Sequence, residues 1–177
     1  MPFLTAPFQL RLQESFDKDA PNYSAPTEGE LDAYGKPSIP HLWATAWSEA
    51  TEAGAKGLMC IPAFPPVNNF LLTLGKQAMY GVLIGNSPYT PPFSVLKSGF
   101  TTFAATIIAG WLPTYIAVPP SGPPNFESLS QIGNATTINT PWIVQCGTLL
   151  ASWFTTGTLI PTPIVGINIG APPSPWL

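Results

Sequence analysis

Apolar residues recur at helical spacing in several stretches of the chain. Leu96, Phe100, Phe103, Ile107 and Trp111 follow one another at intervals of four, three, four and four, which lines one face of a helix that starts after Ser94 and stops before Pro113. A second stripe, Trp142, Cys146, Leu149 and Trp153, follows Thr140 as N-cap and Pro141 as the first helical residue. Gly157 stands where a left-handed C-terminal cap would close that helix. A third apolar run, from Phe70 to Ile84, lies between Asn68-Asn69 and Gly85-Asn86. Each run leads into a proline-rich stretch: Pro88-Tyr89-Thr90-Pro91-Pro92, then Pro119-Pro120-Ser121-Gly122-Pro123-Pro124, then Pro172-Pro173-Ser174-Pro175-Trp176. The pattern predicts three helix-plus-arm units, the arms extended and close to polyproline II. The openings Pro92-Phe93-Ser94-Val95 and Pro141-Trp142-Ile143-Val144 lie 49 residues apart and suggest an old duplication.

Nearer the N-terminus, Phe8, Leu12 and Phe16 suit one helical face behind Thr5 and Pro7, whereas Phe8, Leu10 and Leu12 would equally suit a short strand. Thr27 and Glu30 have capping-box spacing and predict a short helix reaching Tyr34. Ser38 caps a better one, with Pro40 in its first turn, Ile39, Trp43, Trp47 and Ala50 on one side, and Thr45, Ser48, Glu49 and Glu52 on the other. Gly54 and Gly57 should end it. Strands are few: residues 159–169 and 58–64 are the candidates. The expected fold is mainly α, with long irregular proline-rich extended segments and few short strands, non-compact or dependent on assembly for its final form.

Charge divides the chain near Lys56. Residues 1–56 hold 12 of the 15 charged side chains, and residues 57–177 hold only Lys76, Lys97 and Glu127. The first part reads as a charged helical segment and the second as one charge-poor body. Charged residues make up 8% of the chain against about 25% in an average protein, while the hydrophobic share of 45% is ordinary. The anomaly is therefore missing charge. Pro, at 23 residues, is more than twice its usual share, yet the 10 Phe, 6 Trp and 5 Tyr supply enough apolar area to oppose disorder.

These features exclude several functions. Six scattered basic residues cannot supply the phosphate contacts of a nucleic-acid binder. His41 is the only histidine and sits in an expected first helical turn, without a G-x-S-x-G elbow. Glu28, Glu30 and Asp32 look like a solvated face rather than a catalytic carboxylate pair. No P-loop, dinucleotide fingerprint or complete EF-hand loop occurs. Cys60 and Cys146 lie in no metal-binding motif and read as small buried hydrophobes, with a disulfide between them left open. Met1 to Leu12 lacks the pattern of a secretory signal, so the two glycosylation sequons, at Asn22 and Asn134, read as chance. No enzyme, cofactor, metal or small-molecule substrate is expected.

What covers an uncharged surface then decides the function. Residues 98–118 and 141–160 are uncharged and long enough to span a bilayer, and Gly81 and Gly85 form a GxxxG match. A membrane-inserted or membrane-disrupting protein is therefore the alternative reading. The threonines, serines and Gln145 inside those segments, the absence of a basic flank and a mean hydropathy of only +0.22 favour protein as the cover. In that reading Phe100, Phe103, Trp111, Trp142, Trp153 and Trp176 are the candidate packing and interface residues, and the small back face Ala104, Ala105, Ala109, Gly147 and Ala151 admits neighbours.

Thr5-Ala6-Pro7-Phe8-Gln9-Leu10-Arg11-Leu12 resembles the opening of small virion proteins of contractile-tailed phages. Leu150-Ala151-Ser152-Trp153-Phe154-Thr155-Thr156-Gly157-Thr158 is similar to their short apolar helix running into a Gly/Thr/Pro tail. The chain departs from that style in its high Trp and Pro content. The resemblance implies a structural subunit of baseplate, neck or tail, located in the virion, with other virion proteins and copies of itself as partners.

Overall fold

The computed structural model describes residues 3–16, 39–58, 69–85, 92–111, 115–129, 140–162 and 172–176. These residues are mainly helical, with few short strands. Five α-helices follow in order: α1 (Thr5–Phe16), α2 (Ile39–Ala55), α3 (Asn69–Ile84), α4 (Pro92–Ile107) and α5 (Thr140–Phe154). Short 3-10 turns, Ile108–Trp111 and Phe126–Leu129, flank strand β1 (Tyr115–Val118), and β2 (Thr158–Pro161) and β3 (Ser174–Pro175) follow α5. The expected helix ending at Tyr34 lies outside the described residues.

At α1 the helical alternative holds. Phe8 and Leu12 are fully buried and Leu10 is exposed, the signature of a 3.6-residue rather than a two-residue period. The Phe8 amide donates to the Leu4 carbonyl, which opens the helix one residue before Thr5. In α2 the two-sided pattern fails. Trp47 and Ala50 are buried as expected, but so are Ser48 and Thr51, because α1 packs on one side of α2 and α3 on another. Thr51 meets that burial by donating its hydroxyl to the Trp47 carbonyl at 2.7 Å. Gly54 lies inside the last turn rather than after it. Its surroundings give the reason: a Cβ there would stand 2.2 Å from the Phe3 ring, and the Leu4 amide bonds the Gly54 carbonyl.

Helices α3 and α4 pack closely through Gly75 and Gly99. A Cβ on Gly75 would meet Ile107 at 2.9 Å and Phe103 at 3.1 Å, and one on Gly99 would meet Leu83 at 3.0 Å. The GxxxG pair plays no such part within the chain: Gly81 and Gly85 are exposed, and a Cβ on Gly81 meets nothing within 4 Å. Neither segment weighed as a membrane span is one helix. The first becomes a 3-10 turn at Ile108 and a strand at Tyr115, and the second leaves α5 at Phe154 and enters β2 at Thr158. No helix among the described residues is long and apolar enough to cross a membrane.

The sheet runs in the order β1-β2-β3, antiparallel throughout, with Ile116 opposite Ile160 and Leu159 opposite Ser174. Thr158 to Pro161 falls at the start of the expected 159–169 strand, whereas β1 and the two-residue β3 were not foreseen. Of the 58–64 candidate only Leu58 is described, and it lies in no strand.

One core unites these elements across the charge boundary at Lys56. Trp47 of α2 sits at its centre, with ring centroids 5.6 Å from Trp142, 6.1 Å from Phe100, 6.2 Å from Phe8 and 6.4 Å from Phe126, mostly edge to face. At the end of α5, Phe154 lies between Phe3 at 5.0 Å and Trp176 at 6.3 Å, both nearly parallel to it. Residues from near both ends of the chain thereby close on the same aromatic ring.

Candidate interaction surface

Five of the six candidate interface side chains are used inside the chain. Phe100 and Phe103 of α4, Trp142 of α5 and Trp176 after β3 are fully buried, and Trp153 of α5 is buried. Trp111 closes the 3-10 turn after α4, and its side chain lies outside the described residues. The stripes were read correctly as apolar faces, but a stripe does not say which element covers it. Here α2, α5 and the 3-10 turn at Phe126 do so for Phe100, and α5 together with α3 does so for Phe103. An outward face for a neighbouring subunit must be made by other side chains.

The charged residues do not make that face. Among the described residues, ion pairs join Arg11 to Glu49 at 2.5 Å, Lys76 to Glu52 at 3.0 Å, Arg11 to Glu14 at 3.8 Å, and Lys97 to Glu127. Three of the four bridge different elements: α1 to α2, α2 to α3, and α4 to the 3-10 turn at Glu127. Thr73 adds a 3.1 Å hydrogen bond to Glu52. Each pair is partly solvated and worth about 0–1 kcal/mol. Their consequence is geometric, since they fix neighbouring elements and draw charge into the seams. Lys97, helped by the residue's own backbone amide, holds the Glu127 carboxyl below its ordinary range.

Lys56 and Glu127 are exposed, but the exposed positions of α4 and α5 are uncharged. On α4 the exposed positions are Ser94, Ser98, Thr101, Ala105 and Ala109 at its end. On α5 they are Pro141, Val144, Gln145, Thr148 and Ser152. Many of the hydroxyls spend their proton on the helix itself: Ser98 donates to the Ser94 carbonyl, Thr101 to Lys97, Thr106 to Thr102 and Thr148 to Val144. A hydroxyl satisfied one turn back demands less water, so these faces are less polar than their composition implies. On the sheet, Tyr115 and Leu159 face the core, while Ile116, Val118 and Ile160 are 52%, 42% and 40% exposed. Antiparallel sheets with one solvated face ordinarily alternate apolar-in and polar-out. This one turns Ile116, Val118 and Ile160 outward, with Thr158 beside them. Further out on α1 and α3, Leu10 and Phe70 are 58% and 66% exposed. The signal for these positions was present in the sequence as an absence of charge, but only the strand register shows that Ile116, Val118 and Ile160 share one face.

Among the described residues, other polar groups also make contacts between elements. His41 is buried and its Nδ1 lies 3.0 Å from the Tyr80 hydroxyl, a contact that ties the start of α2 to α3. Cys146 is free and buried, and burial raises its thiol well above the ordinary range. Cys60 lies outside the described residues. No group of three or more His, Cys, Asp and Glu able to hold a metal ion occurs among the described residues. No family model, curated protein or solved structure matches this chain.

Proposed function

We propose that the chain is a non-enzymatic structural subunit of a large protein assembly, a tailed-phage virion, in its baseplate or tail. The observation that carries this reading is the distribution of charge. Three of the four described ion pairs bridge neighbouring elements. The exposed positions of α4, α5 and the sheet carry no charge, with Lys56 and Glu127 as exposed charges elsewhere. Core regions of obligate interfaces are depleted of charge in the same way. The resemblance of residues 5–12 and 150–158 to small virion proteins directs the reading to a phage.

In this account the uncharged faces pack against copies of the same chain and against other virion proteins. The proline-rich runs 119–124 and 172–176 are anchored to α5 and β2 of the same chain. The clamping of adjacent chains therefore falls to the run 88–92, at a reduced ordering cost because proline already restricts the free chain. Neither a small-molecule substrate nor a nucleic acid takes part.

The test is composition. Particles banded on a density gradient from a culture producing this chain should contain it at a fixed ratio to tail and baseplate proteins. Its absence from such particles, with the chain left in the soluble fraction, contradicts the assignment.

A further inference from the structure

A groove of about 560 Å³ runs along the outside of α5, and its far wall is made by Pro124, Asn125, Ser128 and Leu129. It is shallow and open to solvent. Its floor is apolar: Trp153, Leu129 and Pro124 are buried and Leu149 is half-buried. Its rim is polar and bears no charge.

The wall is fixed to the helix. The Trp153 indole N–H donates to the Gly122 carbonyl at 2.8 Å, and the Ser121 amide donates to the Thr156 hydroxyl at 3.2 Å. Gly122 makes the turn that allows this at φ 64°, a left-handed conformation natural to glycine. The Lys97–Glu127 ion pair anchors the same wall to α4 from outside the groove. A groove held open in this way loses little entropy when it is filled.

The rim sorts its hydrogen-bonding groups. Ser128, Thr148 and Thr156 donate their hydroxyl protons to the Asn125, Val144 and Trp153 carbonyls. The Asn125 and Gln145 amides and the Ser152 hydroxyl make no hydrogen bond within the described residues. Two side-chain amides over an aliphatic and aromatic floor suit the carbonyls of an extended backbone. From Gln145 to Thr156 the groove runs about 16 Å at ~1.5 Å per residue, the span of about five polyproline II residues at ~3.1 Å each.

We propose that this groove receives an uncharged, proline-rich extended segment of a neighbouring subunit. Charge complementarity selects the occupant: a charged segment would lose its hydration against a rim that offers no counter-charge. Grooves with an aromatic and apolar floor are the usual receptors of PxxP segments, whose extended form is already set before binding. The chain itself carries that chemistry, as Pro88-Tyr89-Thr90-Pro91-Pro92. The inference rests on the structural-subunit reading and gives it one specific contact.

The probe is a synthetic peptide of residues 86–93, Asn-Ser-Pro-Tyr-Thr-Pro-Pro-Phe, passed over the full chain tethered sparsely to a biosensor, which keeps copies apart. Protection of the Cys146 thiol from alkylation verifies that the tethered chain is folded. Saturable binding is expected, weakened at least about tenfold by Ser152→Glu and by exchange of the peptide's prolines for alanine. Should Ser152→Glu lose Cys146 protection, Gln145→Glu, nearer the helix N-terminus where an acid is tolerated, gives the same reading. Absence of saturable binding, or affinity unchanged in the folded variants, overturns the proposal. Binding of cellohexaose in place of the peptide also overturns it and makes the groove a glycan site. Failure here with the chain still present in banded particles removes this contact and leaves the subunit assignment standing.

Discussion

Gly157 lies flat beneath the indole of Trp176. A Cβ built on Gly157 would stand 2.7 Å from both Cδ2 and Cε2 of that ring, and the Trp176 amide bonds the Gly157 carbonyl at 3.1 Å. The C-terminal strand is thereby held against the end of α5, with Trp176 fully buried and stacked on Phe154. Gly157→Ala should cost about 1–3 kcal/mol, the usual range for overpacking. Trp176→Ala should cost about 3–5 kcal/mol through the cavity it leaves. Denaturant midpoints measure both, and a Gly157→Ala protein as stable as wild type would contradict the contact.

Two glycines of α3 should respond in opposite directions. Gly75→Ala drives a methyl into Ile107 and Phe103 and should destabilise by roughly 1–3 kcal/mol. Gly81→Ala meets empty space in a helix interior and should stabilise by up to about 1 kcal/mol. Thermal melts of the pair decide whether α3 uses Gly75 or the GxxxG motif for its contact within the chain.

Cys146 should resist thiol reagents in the folded protein. Its side chain is buried and burial raises its thiol well above the ordinary range, so neither access nor thiolate is supplied. In a Cys60→Ala background, alkylation should await unfolding and track denaturant concentration. Fast labelling in native buffer would contradict the packing of α5.

The Lys97–Glu127 pair should contribute a small stability that depends on pH. The folded carboxyl titrates below its ordinary range, so the contribution is complete above the unfolded value of about 4.3 and is lost as pH falls through the folded one. Wild type should therefore melt slightly above Glu127→Gln at pH 7, and the two should converge in strong acid. A gap that widened on acidification would contradict the pairing.

Helix α4 was legible in the sequence because it carries a full apolar stripe at Leu96, Phe100, Phe103 and Ile107. By contrast, α1 suited helix and strand alike, and the pattern of α2 did not separate its two faces. The sheet was not legible. Four-residue strands flanked by prolines carry too few alternations to register, and the pairing of Ile116 with Ile160 joins residues far apart in the chain. Gly157 was misread because a glycine required for close approach and one required for a left-handed turn look alike in sequence. Only Gly122 among the described glycines has a positive φ. The candidate surface was misplaced for a related reason: the large aromatics that mark an interface also mark a core, and this chain uses Phe100, Trp142 and Trp176 for its core. The low charge of residues 57–177 was plain from the sequence. That three described ion pairs bridge neighbouring elements, leaving the exposed positions of α4, α5 and the sheet without charge, required the structure.

The central claim is that those uncharged faces need covering by protein. Sedimentation velocity of the wild-type chain alone, beside a variant with Ala105→Glu, Val144→Lys and Ile160→Glu at exposed positions, tests it most directly. The account predicts that the wild type self-associates or aggregates in dilute buffer, whereas the variant sediments as a folded monomer. A wild-type chain that is already a monodisperse monomer, indistinguishable from the variant, would contradict it.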